Sequence, residues 1–297
     1  MYLRKAVITA AGLGTRLLPA TKEMPKEMLP LFCSDMDGNL LLKPILQIIF
    51  EQLYDAGFRE FCFVVGRGKR SVEDHFTPDY GYVDLIRKKG KMRLAEHLEA
   101  FYRKLESSII FWVNQPDPKG FGDAVLMAES FVDQEPFLVH AGDTVITSNT
   151  CSEHGSPIKR LMNCYASKNP SATITIKETH VPQKIYGCAV VEEIDGDSLR
   201  VIHVVEKPEK PPSNLAIMPL YIFEPVIFKA LRQIGPGVGG EIQLTDAIQK
   251  LIEWHIPVSA VKLNEEEVRL DVGTPETYWE ALMLSYKLSL RSSAAIE

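Results

Sequence analysis

Near the start of the 297-residue chain, Gly12-Leu-Gly-Thr-Arg16 is followed by Lys22 and by Pro25-Lys-Glu-Met-Leu29, which gathers two glycines and three cations within one loop's reach. Glycine lets backbone N–H groups approach a phosphate with no Cβ in the way, and Arg16, Lys22 and Lys26 supply positive charge. The chemistry such a loop suits is the binding of a polyphosphate. Two familiar phosphate patterns do not apply. No third glycine follows Gly14 at the dinucleotide spacing, which argues against a nicotinamide oxidoreductase, and no Gly-Lys-Ser/Thr occurs. A glycine turn between a strand and a loop is the plain alternative, against which Thr15-Arg16 and Pro25-Lys26 weigh.

Two acids and one acid–base pair complete the set. Asp143 and Asp271 end the apolar runs Phe137-Leu-Val-His-Ala-Gly-Asp143 and Val268-Arg-Leu-Asp271. Brought to one cleft beside a polyphosphate, two carboxylates would suit Mg²⁺, a hard cation that takes a few carboxylates plus substrate phosphates. Each alone also reads as a turn or helix cap. In Val205-Glu-Lys-Pro208, Glu206 could accept hydrogen bonds from sugar hydroxyls while Lys207, on the opposite face of the strand, holds a phosphate; an ordinary solvated strand end is the alternative.

The elements that must position these groups follow from the apolar pattern. Ala6 to Ala10 reads as a buried parallel strand whose carboxyl end carries Gly12, where open α/β sheets bind ligands. A helix over Pro44 to Ala56 and a strand over Phe61 to Val65 complete a β-loop-helix-β unit with a right-handed crossover. Asp35 to Asn39 reads as a turn, and Ser71 to Ser107 as charged and helical, with Arg87 to Arg93 a basic run at a solvated helix end. Strands over Ile109 to Val113 and Phe137 to Ala141 flank a glycine- and proline-punctuated loop, Asn114 to Gly122, and a helix from about Asp123 to Phe131. Beyond Ala172 the strands come close together, at Ala172 to Lys177, Cys188 to Glu193, Leu199 to Val205 and Ala216 to Phe223. An Asp195-Gly196 turn among them signals a hairpin, so a mixed or antiparallel extension is expected. Helices over Pro225 to Gln233 and Gln243 to Trp254, short strands over Pro257 to Leu263 and Val268 to Val272, and a helix over Pro275 to Leu290 close the chain. No linker or repeat interrupts it, so one α/β unit is expected, with 1–150 as a nucleotide-binding half, 151–273 as a sugar-phosphate-binding half and 274–297 as a terminal helix and tail.

Composition agrees with that picture. The 45% apolar content supports a sizeable core, and a net charge of −6 argues against a general nucleic-acid binder. Five scattered cysteines, Cys33, Cys62, Cys151, Cys164 and Cys188, form neither a disulfide framework nor a zinc cluster and suit a reducing cytoplasm. No run approaches the ~20 apolar residues of a membrane span, so no membrane partner is expected.

The ordered motifs Gly12 to Arg16, Pro25 to Leu29, Gln115 to Gly122, Gly142-Asp143, Tyr186-Gly187, Val205 to Pro208, Ser213 to Ala216, Gly240 to Asp246 and Asp271 to Gly273 span nearly the whole chain. In this order they resemble the sugar-1-phosphate nucleotidylyltransferase family. The resemblance implies a Rossmann-like nucleotidyltransferase fold: a central mixed, mostly parallel sheet flanked by helices, with a small additional β region. Pro25 to Leu29, Ser71 to Phe76 and Glu241 to Asp246 are most similar to members that transfer a uridylyl group from UTP to glucose 1-phosphate with Mg²⁺, giving UDP-glucose and pyrophosphate. Carried over by position, the nucleotide would lie on Ala11, Gly12, Gly14, Thr15, Arg16, Lys26 and Asp143, with Gln115 and Gly120 reading the base. Lys26, Arg16 and Asp143 would be catalytic, Asp143 and Asp271 would hold Mg²⁺, and Gly187, Glu206 and Lys207 would bind the sugar phosphate. Gln115-Pro-Asp-Pro, however, is similar to thymidylyl-transferring members, and Asp123 stands where many uridylyl-transferring members carry another residue. A thymidylyltransferase, an enzyme of relaxed base and sugar preference, and a non-catalytic sugar-nucleotide sensor are the competing readings. The terminal helix, with Tyr278, Trp279, Leu282, Met283, Tyr286 and Leu290, serves either as a homo-oligomer contact, as in family members, or as a cap on the core.

Overall fold

A computed structural model describes residues 3–35, 37–148, 156–179, 186–195 and 198–294. Its elements in chain order are β1 (Lys5–Ala10), β2 (Pro30–Ser34), β3 (Leu40–Pro44), α1 (Ile45–Ala56), β4 (Glu60–Val65), α2 (Arg70–His75), α3 (Tyr80–Lys88), α4 (Met92–Glu106) and β5 (Ile109–Asn114). Next come α5 (Phe121–Met127), α6 (Glu129–Val132), β6 (Phe137–Ala141), β7 (Thr144–Ser148), α7 (Pro157–Lys168), β8 (Ala172–Glu178), β9 (Cys188–Asp195) and β10 (Ser198–Val205). The chain finishes with β11 (Leu215–Phe223), α8 (Val226–Leu231), α9 (Leu244–Glu253), β12 (Val258–Lys262), β13 (Glu267–Asp271) and α10 (Pro275–Ala294).

One nine-stranded sheet runs β5-β4-β1-β6-β11-β8-β12-β10-β9. Its first four strands are parallel, with Thr9 on β1 facing Val64 on one side and Ala141 on the other. Their carboxyl ends therefore share one edge, and the loops after Ala10, Val65, Asn114 and Ala141 converge there. Alternation along β1 explains why the sheet is covered on both faces. Ala6 and Ile8 point into a core built with α1, α4, α7 and α10, whereas Val7 points into a second core built with α5, α8 and α9. The helix α1 shows the local logic: Ile45, Leu46, Ile49, Phe50 and Leu53 bury one stripe, each contributing about 2 kcal/mol by leaving water, and Gly57 ends it in the left-handed region at φ 112°.

The expected mixed character of the later strands is observed: β11 pairs antiparallel with both β6 and β8, while β12 lies parallel to β8. β9 and β10 form the antiparallel pair that the Asp195-Gly196 turn signalled, although Gly196 itself, like Cys151, lies outside the described residues. The small additional β region is two separate two-stranded sheets, β2 with β3 and β7 with β13. Sequence reading found the turn at 35–39 but not the hairpin it joins, and it missed β7 and α7. β2, β3 and β7 are strands of only five residues, and β7 pairs with the distant β13, whereas α7 does carry a helical stripe, Ile158, Leu161 and Tyr165, behind its Ser156 cap. The helix expected from Asp123 to Phe131 is two helices, broken at Ala128. Within the basic run, Arg87 is paired with Glu99 at 2.6 Å, as a solvated helix end would be. None of the described helices is long and apolar enough to cross a membrane.

Candidate active site

A cleft of about 610 Å³ opens at the carboxyl edge of the parallel strands, and each of the predicted site residues lines it. Ala11, Gly12, Gly14, Thr15 and Arg16 arrive from the loop after β1 and Lys26 from a short 3-10 turn. Gln115 follows β5, Gly120 precedes α5, and Asp143 joins β6 to β7. Gly187 precedes β9, Glu206 and Lys207 follow β10, and Asp271 ends β13. Lys22 is the exception among the cations proposed for the polyphosphate. It is exposed, outside the cleft, and lies 3.4 Å from Glu23.

The two acids meet because β13 pairs with β7 in the register that sets Asp271 opposite Thr144. The Thr144 hydroxyl lies 3.1 Å from Asp271 Oδ1 and 3.3 Å from Asp143 Oδ1, linking carboxylates that are 128 positions apart in sequence. Lys26 Nζ donates to Asp143 Oδ2. Burial is the largest single influence on the Asp143 carboxyl and would raise it, but the Lys26 charge and hydrogen bond, joined by the Arg269 charge and the Thr144 hydroxyl, together outweigh it and hold that carboxyl below its ordinary value. For Lys26, burial pulls down, and Asp143 with Glu27 and Asp271 more than compensates, so the ammonium is held above its usual value.

Behind this pair is one the motifs did not announce. Glu27, 1% exposed, accepts from Lys69 Nζ at 2.6 Å, and Lys69 is itself 7% exposed on the loop after β4. That loop is pressed onto the phosphate loop: a Cβ on Gly66 would stand 2.8 Å from the Ala11 carbonyl oxygen. Arg269 was also unassigned. Its Nη2 lies 2.7 Å from Asp271 Oδ1 and its guanidinium stacks over Tyr186 at 4.6 Å, so it balances the second acid as Lys26 balances the first.

Where β5 meets α5, Gln115 is 2% exposed and its Nε2 donates to Asp123 Oδ2 at 2.6 Å. Gly120 has φ 119°, and any Cβ there would stand 2.6 Å from the Ile242 carbonyl, so the loop closes this tightly only with glycine. At the end of β10, Glu206 Oε2 accepts from the Thr245 hydroxyl at 2.7 Å, with Gly187 beside it. Glu206 and Lys207 do not project to opposite faces as an uninterrupted strand would require. β10 ends at Val205, Lys207 takes φ 41°, and its Nζ returns to 3.3 Å from Glu206 Oε1. Among the described residues no group of three or more acidic, histidine or cysteine side chains could hold a metal, so Asp143 and Asp271 would need substrate oxygens to complete a shell.

This geometry finds its counterpart among known proteins. The family model described as "Nucleotidyl transferase" matches residues 5–287. The chain belongs to the nucleotidyl transferase family. Within it, the chain is 41% identical over 276 residues to a UTP–glucose-1-phosphate uridylyltransferase from Bacillus subtilis, covering 91% of this chain and 87% of that one. The corresponding Staphylococcus haemolyticus protein is likewise 41% identical over 276 residues, with 91% and 88% covered. The crystal structure of a UDP-glucose pyrophosphorylase complexed with UDP-glucose superposes with a TM-score of 0.81 at 32% identity, over 96% of this chain and 99% of that one. The fold is thus the Rossmann-like nucleotidyltransferase fold that the motifs implied.

Proposed function

We propose that this nucleotidyltransferase transfers a uridylyl group from UTP to glucose 1-phosphate, releasing pyrophosphate. The observation that carries the reading is the single cleft in which a glycine phosphate loop, Lys26, two linked carboxylates, a buried Gln115 and the Glu206–Lys207 pair face one another. The 41% identity to uridylyltransferases supports UTP and glucose 1-phosphate as the substrates.

A sugar phosphate is already an anionic nucleophile, so the reaction needs alignment and charge neutralisation more than a general base. A phosphate oxygen of glucose 1-phosphate forms a bond to the α-phosphorus of UTP, the bond from that phosphorus to the α,β-bridging oxygen breaks, and pyrophosphate leaves in line. Ala11, Gly12, Gly14 and Thr15 cradle the triphosphate, Arg16 and Lys26 neutralise its charge, and Lys26 follows the charge that develops toward pyrophosphate. Gln115 and Gly120 hold the base. Gly187 and Glu206 hold the glucose hydroxyls and Lys207 the sugar phosphate. Asp143 and Asp271, linked through the Thr144 hydroxyl, would hold a Mg²⁺ ion together with oxygens of the substrate phosphates. When bound, Mg²⁺ adds charge neutralisation at the phosphates.

The proposal extends to the halves of the chain, with 1–150 handling the nucleotide and 151–273 the sugar phosphate. It also extends to the cytoplasm as its compartment, in keeping with free thiols at Cys33, Cys62 and Cys164. One face of α10 caps the core through Tyr278 and Leu282, while Trp279, 63% exposed, and Met283, Tyr286 and Leu290 form an outer stripe that would serve a homo-oligomer. Sedimentation of the purified protein tests that last point.

The reaction itself is tested by pyrophosphate release with Mg²⁺ and glucose 1-phosphate, with UTP and dTTP run side by side below saturation. A clear UTP preference is expected. Comparable rates, or a preference for dTTP, would mean that the Gln115-Pro-Asp-Pro loop outweighs the other motifs and that a thymidylyltransferase or relaxed enzyme is the better reading. Silence with every triphosphate and sugar phosphate offered would favour a sensor.

A further inference from the structure

The mechanism above leaves Asp123 without a task, yet this acid is bonded to the residue that faces the base. It stands in the first turn of α5, three positions after Gly120, and its Oδ2 accepts from Gln115 Nε2 at 2.6 Å. The same Nε2 also faces the Gly120 carbonyl at 3.5 Å. Gln115 is buried, and its backbone N–H is bonded to the Val65 carbonyl at 2.8 Å, which anchors the side chain at its root. What remains free to turn is the amide plane.

That plane has two orientations, related by a half-turn, that are nearly equal in shape and opposite in hydrogen-bonding sense. A carboxylate only accepts, so it selects the one that gives it the NH₂ group. The other would set an amide oxygen against a carboxylate oxygen at hydrogen-bond distance with no proton between them. With Nε2 turned to Asp123 and Gly120, the polar atom Gln115 has left for a base is Oε1, an acceptor.

We propose that Asp123 is a positioning residue for base specificity: it locks the Gln115 amide so that the site admits a pyrimidine bearing hydrogen on ring N3, as uracil and thymine do, and rejects cytosine. Cytosine presents a bare acceptor at N3, which would face Oε1 across the same contact. A Gln115 free to turn would donate Nε2–H to cytosine instead and accept either base. This rests on the reading of Gln115 as the base-reading residue. It explains discrimination against cytosine and leaves the choice between UTP and dTTP to other contacts. A site built to hydrogen-bond one partner discriminates strongly, because the wrong ligand leaves buried polar groups unpaired.

The test compares kcat/KM for UTP and CTP, with glucose 1-phosphate held constant, in the parent protein, in Asp123→Asn, in Gln115→Ala and in the double variant. Calorimetric titration of each nucleotide without sugar phosphate gives the binding ratio independently of turnover. Asparagine has nearly the shape of aspartate but can meet either face of the glutamine amide. The parent is expected to favour UTP by about 100-fold or more, and Asp123→Asn to lower the UTP:CTP ratio by about tenfold or more, in both turnover and binding. In the Gln115→Ala background, Asp123→Asn is expected to change the ratio no further. An unchanged ratio in folded Asp123→Asn overturns the inference, and so does a shift of equal size when Gln115 is absent. Should Asp123→Asn not fold, Asp123→Ala supplies the same comparison. If Gln115→Ala leaves the ratio untouched, the base-reading role fails and the lock with it; if Gln115→Ala relaxes the ratio and Asp123→Asn does not, only the lock fails.

Discussion

At the phosphate end of the cleft, Lys26 is bonded to Asp143 and backed by the Glu27–Lys69 pair, two ions almost sealed from water. At the sugar end, Lys207 keeps 39% of its side chain exposed and stands 3.3 Å from Glu206, whose other oxygen is held by Thr245. The same two residue types, a lysine and a carboxylate, are used at both ends, both carboxylates are largely covered, and the difference lies in the lysines, Lys26 being the more buried and Lys207 the more exposed. Buried charges act strongly on one another and on a developing charge, because little solvent competes. Exposed ones are screened, and their contribution goes to capture and orientation. On the proposed function, the phosphate end would serve the chemical step and the sugar end recognition, and substitutions at the two ends should move different kinetic constants.

The largest effect is expected from Asp143→Ala. It removes a phosphate-end carboxylate and leaves Lys26 without its bonded partner, and kcat should fall by about 100-fold or more in steady-state assays. Lys69→Met comes next. Breaking a buried pair from one side costs about 3 kcal/mol of stability, readable by denaturant unfolding, and leaves Glu27 with Lys26 as its nearest cation, so kcat should fall by about tenfold. A Lys69→Met variant with parental stability and turnover would show that the buried pair does not support the phosphate end. At the other end, Lys207→Met should raise KM for glucose 1-phosphate by about tenfold while kcat holds within about threefold. A fall in kcat with KM unchanged would reverse the assignment of the two ends. The smallest effect belongs to Arg232→Ala, which removes an exposed pair with Glu129 remote from the cleft and should change stability by less than about 0.5 kcal/mol.

What could be read from the sequence, and what could not, follows the range over which each signal acts. The phosphate loop was legible because an apolar run, two glycines and an Arg lie within a dozen residues. Asp143 and Asp271 were legible as acids at strand ends. Their meeting was not, since it depends on β7, a strand the pattern did not reveal, and on its register with β13. Glu27 stood inside a recognised motif, but its partner lies 42 residues away on another loop, and Coulomb pairing leaves no periodic trace. Arg269 lay two residues from Asp271 in a run already singled out, and only the stacking on Tyr186 reveals its place. The turn of Lys207 back toward Glu206 depends on a left-handed backbone that a Lys-Pro dipeptide does not advertise. Asp123 was visible as an oddity of sequence, and its bond to Gln115 gives the oddity a physical meaning.

The division between a chemical end and a recognition end turns on Lys26, the cation that both the motif and the buried pairs converge upon. The most direct measurement is a single turnover of Lys26→Met, with UTP and glucose 1-phosphate both saturating and UDP-glucose followed after rapid quenching. The account predicts a chemical step slowed by about 100-fold or more in a folded protein, by analogy with loss of a preorganised charge-stabilising group. A single-turnover rate close to that of the parent would contradict it.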